Sequence, residues 1–200
     1  MRRSLLLAFG LAAVSSTAAA QQAPAAAPTA APGGPSVGDM APDFTLPGAT
    51  RYGVLQAPVK LSELRGQTVV VAFFPKARTS GCTVQLETYR DQYATLFNGG
   101  RKIVLVAVSA DADTTLAGWA RQADFPFLLA SDREGSAGTA YGAWMAQNRM
   151  DNRYLYVVGP DGRIAYVAKP FKVMAQDAYT DLAAAVDKLA PPPTTSADAH

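Results

Sequence analysis

Cysteine and histidine are almost missing from the chain: Cys82 and His200 are the only ones. A lone cysteine cannot close an internal disulfide, and a histidine at the last position of a polar tail cannot serve a site inside a fold. These shortages exclude cysteine–histidine zinc sites. They also exclude cysteine-protease chemistry, which needs an imidazole base beside the thiol. Dithiol exchange of the Cys-x-x-Cys kind is excluded as well, because Thr79 stands where the earlier cysteine would be. A basic excess is lacking too. The formal charge is +2, both excess charges belong to Arg2 and Arg3, and the remainder balances, so no nucleic-acid partner is expected. Beyond residue 21 no apolar run is long enough to span a bilayer.

What is present falls into four parts. Arg2 and Arg3, the apolar segment Leu5 to Val14 and the small residues Ala18 to Ala20 read as a secretory signal peptide over 1–20, cleaved near Ala20. The expected location is therefore periplasmic or secreted, with no stable membrane insertion after processing. A retained membrane anchor is the alternative reading, although so short a segment does not span a bilayer. Residues 21–37, rich in Ala and Pro, are expected to be a disordered linker, because such a composition buries too little apolar surface to fold. A single globular domain is expected over 38–190, followed by a disordered tail over 191–200.

Within the domain, Phe44 and Leu46 share one face of an extended segment, and Gly48 to Pro58 reads as a loop or short hairpin. Thr68 to Phe74 is continuously apolar and β-branched, the pattern of a central strand covered on both faces. From Thr83, the positions Leu86, Tyr89, Tyr93, Leu96 and Phe97 predict a helix ending at Asn98-Gly99-Gly100. Lys102 to Ser109 reads as a second strand, Asp113 to Gln122 as a second helix, and Phe127 to Ala130 as a third strand. Arg153 to Val158 and Arg163 to Val167 form a hairpin about Gly159-Pro160-Asp161-Gly162, and Val173 to Lys188 supplies a closing helix. The order implies an α/β, thioredoxin-like sandwich with a mixed central sheet flanked by helices.

Cys82 stands where the first long strand gives way to a helix. A helix N-terminus presents unpaired N–H groups and a partial positive charge, which favour a thiolate over a thiol. Free cysteines are most often buried as small hydrophobes. Gly81 and Thr79, in a polar turn, argue against simple burial here. The exclusions leave a monothiol activated by electrostatics.

Pro75, Thr79 and Cys82, spaced Pro-x-x-x-Thr-x-x-Cys directly after an apolar strand, resemble the signature of the peroxiredoxins. Gly38 to Leu46, Leu61 to Gly66, Thr83 with Arg90 and Asp91, Val108 to Asp111, Phe125 to Asp132 and Tyr141 to Trp144 are similar to the Q-type, or bacterioferritin comigratory protein, subfamily of that AhpC/TSA superfamily. The resemblance runs over about residues 36–190. It implies a thiol-dependent peroxidase. Cys82 would attack the terminal oxygen of hydrogen peroxide or an organic hydroperoxide and become a sulfenic acid. Thr79 would hold its hydroxyl toward thiolate and peroxide, Pro75 would shield the pocket from water, and Arg153 would polarise the breaking bond. No cofactor is implied. Where many Q-type members carry a resolving cysteine, this chain has Glu87, so the expected reductant is an external thiol or a thioredoxin-like protein.

Plainer readings stand beside these. Thr79 also suits a helix cap, Arg153 a surface strand start, and Pro75 the end of a strand. Arg78 reads as solvated, and Trp119, Trp144 and Tyr89 as core or pocket wall. A redox sensor or binding protein that is oxidised at Cys82 without turnover is the alternative to an enzyme. Monomer and homodimer are both compatible with the sequence.

Overall fold

Short pairings open the fold in the computed structural model, which describes residues 33–190. Thr45–Leu46 (β1), Gly48–Thr50 (β2), Gly53–Val54 (β3) and Val59–Lys60 (β4) come first; β1 pairs with β4, and β2 with β3, both antiparallel. Then follow Thr68–Phe73 (β5), the helices Ser80–Asp91 (α1) and Tyr93–Leu96 (α2), Ile103–Ser109 (β6), Asp113–Gln122 (α3) and Leu128–Ser131 (β7). Ser136–Ala140 (α4), Trp144–Met145 (β8), Met150–Asp151 (β9), Leu155–Val158 (β10), Ile164–Ala168 (β11) and Gln176–Leu189 (α5) complete the order. The main sheet has seven strands in the order β11-β10-β5-β6-β7-β2-β3, with β5, β6 and β7 parallel and β10 antiparallel to β5. This is the mixed α/β sandwich that the element order implies.

The central strand shows why its sequence is apolar throughout. Successive side chains of a strand point to opposite faces. Accordingly Val70, Ala72 and Phe74 join one core with Cys82, Leu86 and Tyr89, while Val69, Val71 and Phe73 join the other with Phe44, Leu46, Tyr141 and Tyr156. All six residues of β5 are buried. Burying each valine side chain stabilises the fold by about 1.5–3 kcal/mol, so β5 anchors both layers and fixes the loop that follows it.

The structure departs from the sequence reading in three places. The helix containing Cys82 begins at Ser80, not Thr83, and it breaks at Gln92, whose N–H turns back to Thr88 O and Arg90 O. The apolar stripe cannot reveal that break, because Leu96 and Phe97 stay buried on its far side. The β8–β9 hairpin was not expected, since two residues per strand are too few for alternation to register. Strand β10 starts at Leu155, which leaves Arg153 in the connection ahead of it.

The expected signal peptide, linker residues 21–32 and the tail lie outside the described residues. At the end of the linker span, Gly34 and Pro35 are buried, and Lys169 Nζ donates to Gly33 O at 2.8 Å and Pro35 O at 3.1 Å. No described helix is long and apolar enough to cross a membrane.

Candidate active site

The site is built where β5 hands over to α1. Phe74 N donates to Val108 O at 2.9 Å, carrying the sheet one residue past β5. Asp111 then pins the loop: its Oδ2 accepts Ala77 N at 2.7 Å and Ser109 Oγ at 3.0 Å. Arg78 turns the chain with a positive φ of 62°, a region costly for residues with a Cβ. Its exposed side chain lies over α3, donating to Thr115 O at 3.3 Å.

Thr79 is the N-cap of α1 and adopts an extended backbone, but its side chain does not cap the helix. The hydroxyl donates instead to Lys76 O at 2.9 Å, so its hydrogen is not directed at the sulfur. The first helical bond runs from Thr83 N to Thr79 O at 2.8 Å. The amides of Ser80, Gly81 and Cys82 therefore have no acceptor within the helix, and no acidic residue in the first turn offsets their positive end.

Cys82 is fully buried and belongs to an apolar core, more enclosed than its polar flanks suggest. One cation nevertheless reaches it. Arg153 Nη2 lies 3.5 Å from Sγ, and Nη1 donates to Gln85 Oε1 at 2.5 Å and to Gly81 O at 3.5 Å. Arg153 is in none of the ion pairs among the described residues, so no carboxylate competes with the sulfur for its charge. A Cβ at position 81 would sit 3.2 Å from Nη2, so Gly81 leaves room for the close approach of the guanidinium to the turn.

Gln85 is the residue the sequence reading missed. It lies one turn beyond Cys82 and is fully buried; its Nε2 donates to Tyr89 Oη at 3.1 Å while its Oε1 holds Arg153. Tyr89 is held neutral, its hydroxyl pushed far above the usual phenol range by burial, and its ring packs against Phe97, Phe171 and Tyr179. An aromatic cage thus fixes Tyr89, Tyr89 fixes Gln85, and Gln85 fixes Arg153. The signal was present as a lone amide within the buried stripe Cys82, Gln85, Leu86, Tyr89. Gln85→Leu should slow peroxide reduction about tenfold, the loss of one charge-assisted hydrogen bond, and Gln85→Glu should slow it as well, because a carboxylate on Arg153 competes with the sulfur for its charge. Stopped-flow measurement of Cys82 oxidation in both variants checks this.

Of the four expected site residues, Cys82 and Arg153 are in contact. Thr79 is exposed at the helix start, and Pro75 is half-buried beside a surface cavity of about 320 Å³ that Lys76, Arg133, Arg149 and Met150 also line. Glu87, at the position of the absent second cysteine, is half-buried 3.8 Å from Arg90.

Comparison with known proteins identifies the family and the fold. The AhpC/TSA family model matches residues 37–167. Peroxiredoxin Bcp of Escherichia coli K12 is 32% identical over 141 residues, 68% of this chain and 86% of that protein. The crystal structure of peroxidoxin BcpB from Mycobacterium tuberculosis superimposes with a TM-score of 0.64 at 28% identity, covering 76% of this chain and 97% of that one. A Xanthomonas campestris bacterioferritin comigratory protein, at 20% identity and a TM-score of 0.62 over 73% of this chain and 92% of its own, shares the fold. The chain belongs to the AhpC/TSA family and is a peroxiredoxin, a thiol-dependent peroxidase with a single cysteine.

Proposed function

We propose that Cys82 is the peroxidatic thiolate, that hydrogen peroxide and organic hydroperoxides are its substrates, and that an external thiol or thioredoxin-like protein completes the cycle. The observation that carries the reading is the 3.5 Å approach of Arg153 Nη2 to the buried sulfur. Sγ attacks the terminal oxygen, the O–O bond breaks, and the departing oxygen takes a proton to leave as water or alcohol. Sulfur gives up two electrons and becomes a sulfenic acid. Arg153 stabilises the negative charge that passes from sulfur to the leaving oxygen, in a site shielded from water where such donors are most effective. Thr79, whose hydrogen is engaged by Lys76 O, has lone pairs free to accept the hydroperoxide O–H. Pro75 brings no N–H to the pocket and covers its flank.

Because Cys82 is the chain's only cysteine, the sulfenic acid has no internal thiol with which to condense. A first external thiol forms a mixed disulfide and releases water; a second displaces Cys82 as the thiolate. A sulfur that is fully buried also requires Pro75 to Gly81 to shift before a bulky thiol can reach it. The alkyl peroxide reduction activity named for the Xanthomonas campestris relative supports including organic hydroperoxides. Export to the periplasm or outside the cell, through the leader over 1–20, belongs to the same proposal.

Mass spectrometry of the mature protein after one equivalent of peroxide tests these points together. The expected spectrum shows one added oxygen at Cys82, reversal by dithiothreitol, and an N-terminus at Gln21. An oxygen adduct elsewhere, or one that dithiothreitol cannot reverse, contradicts the cycle. A mature N-terminus at Met1 contradicts export through this leader.

A further inference from the structure

Asp151 is fully buried, and neither of its carboxylate oxygens has a hydrogen-bond partner. Buried polar groups are nearly always partnered, so an orphaned carboxyl needs an explanation. It lies in β9 opposite Trp144 of β8, and its Oδ1 rests on α4 so closely that a Cβ at Gly138 would come within 2.1 Å. Neither α4 nor β8 carries an ionisable side chain. The turn between β7 and α4 brings Asp132, Arg133 and Glu134, of which Arg133 and Glu134 are exposed and Asp132 is buried. Along its own run, Arg149 is exposed and Arg153 is engaged with Gln85 and Cys82.

The two buried acids have opposite surroundings. Asp132 accepts three hydrogen bonds, from Ser136 N at 2.9 Å, Ser136 Oγ at 3.0 Å and Gly138 N at 2.7 Å. Asp151 has no donor to stabilise a charge; burial first, and the charge of Asp132 second, push its carboxyl up to about 8.

We propose that Asp151 is a positioning residue, a neutral acid whose protonated form keeps the β8–β9 hairpin closed and Arg153 seated on Cys82, so that its ionisation switches the peroxidase down in alkali. The chain connects the two directly. Asn152 N donates to Ala143 O at 2.7 Å, tying the run to the start of β8, and Arg153 O accepts Phe171 N at 2.7 Å. An ionised Asp151 beside Asp132 finds relief only by opening the hairpin toward water, and Asn152 and Arg153 move with it. The proton goes to solvent. The inference rests on the reading of Arg153 given above.

The test is the pH profile of Cys82 oxidation by peroxide in the wild type, Asp151→Asn and Asp151→Val. The three should react alike near about pH 6, and by about pH 9 both variants should be about tenfold faster than wild type, the ratio set by one ionisation. Stability supplies a second readout. A carboxyl raised in the folded state favours folding while protonated, and this advantage is lost as pH rises from its unfolded value toward about 8. The Tm of Asp151→Asn relative to wild type should therefore climb across that interval and then level. A wild-type rate that stays flat to about pH 9, or an alkaline fall shared by both variants, overturns the proposal. A full rate in Arg153→Met would overturn the underlying reading of Arg153, an outcome distinct from either.

Discussion

Cys82→Ser is expected to lose peroxide reduction entirely, leaving only the background reaction of the thiol donor with peroxide. A serine hydroxyl is not ionised by the forces that stabilise a thiolate at a helix N-terminus, and it has no sulfenic acid state to enter. The variant should fold. Its Oγ inherits the contact with Arg153 Nη2, and the first turn of α1 keeps the same unpaired amides. The expected change in stability is on the order of 1 kcal/mol, the scale of one buried hydrogen-bonding group exchanged for another. A steady-state peroxide assay with dithiothreitol, read beside a thermal melt, separates lost chemistry from lost fold.

Arg153→Met should carry the next largest effect, lowering the rate constant for peroxide about 10²–10³-fold, as removal of one donor aimed at developing charge does elsewhere. Methionine fills much of the same volume without the charge. Two losses coincide in it: the cation 3.5 Å from Sγ, and the partner that Gln85 Oε1 holds. Arg153→Lys restores a charge but not the planar fork that reaches Gln85, Gly81 O and Cys82 at once, so it should recover only part of the rate. Stopped-flow mixing with hydrogen peroxide distinguishes the three proteins. A Lys variant equal to wild type would mean that charge alone, not the fork, supports the reaction.

The strands and helices that build the site were legible because their signals are local. The six buried residues of β5 announce a two-faced strand by composition, and α3 spans Asp113–Gln122 as its spacing predicts. The start of α1 was less legible. Ser80 and Gly81 belong to no apolar stripe, and helix entry there depends on Arg78 adopting a positive φ and on Asp111 holding Ala77 from 34 residues away. Long-range pairings of this kind leave no periodicity.

The same limit governed the site residues. Cys82 and Arg153 were nameable from motif and position, whereas Gln85 was hidden because a glutamine on a helix reads as solvated until its neighbours are known. Asp151 was hidden for the opposite reason. An acid between Met150 and Asn152 looks like turn chemistry, and only the packing of α4 and the neighbouring Asp132 make it an anomaly. A chain with one cysteine admits few thiol chemistries, so the residues it lacks narrow its reaction as much as those it has.

The central claim is that Cys82 is an activated nucleophile aimed at a peroxide oxygen. Its most direct test is the second-order rate constant for oxidation of Cys82 by hydrogen peroxide, followed by stopped flow in the reduced wild-type protein with Cys82→Ser as the blank. The account predicts a single oxidation event, absent from the blank, with a rate constant orders of magnitude above that of a free cysteine. A rate equal to that of free cysteine would contradict it.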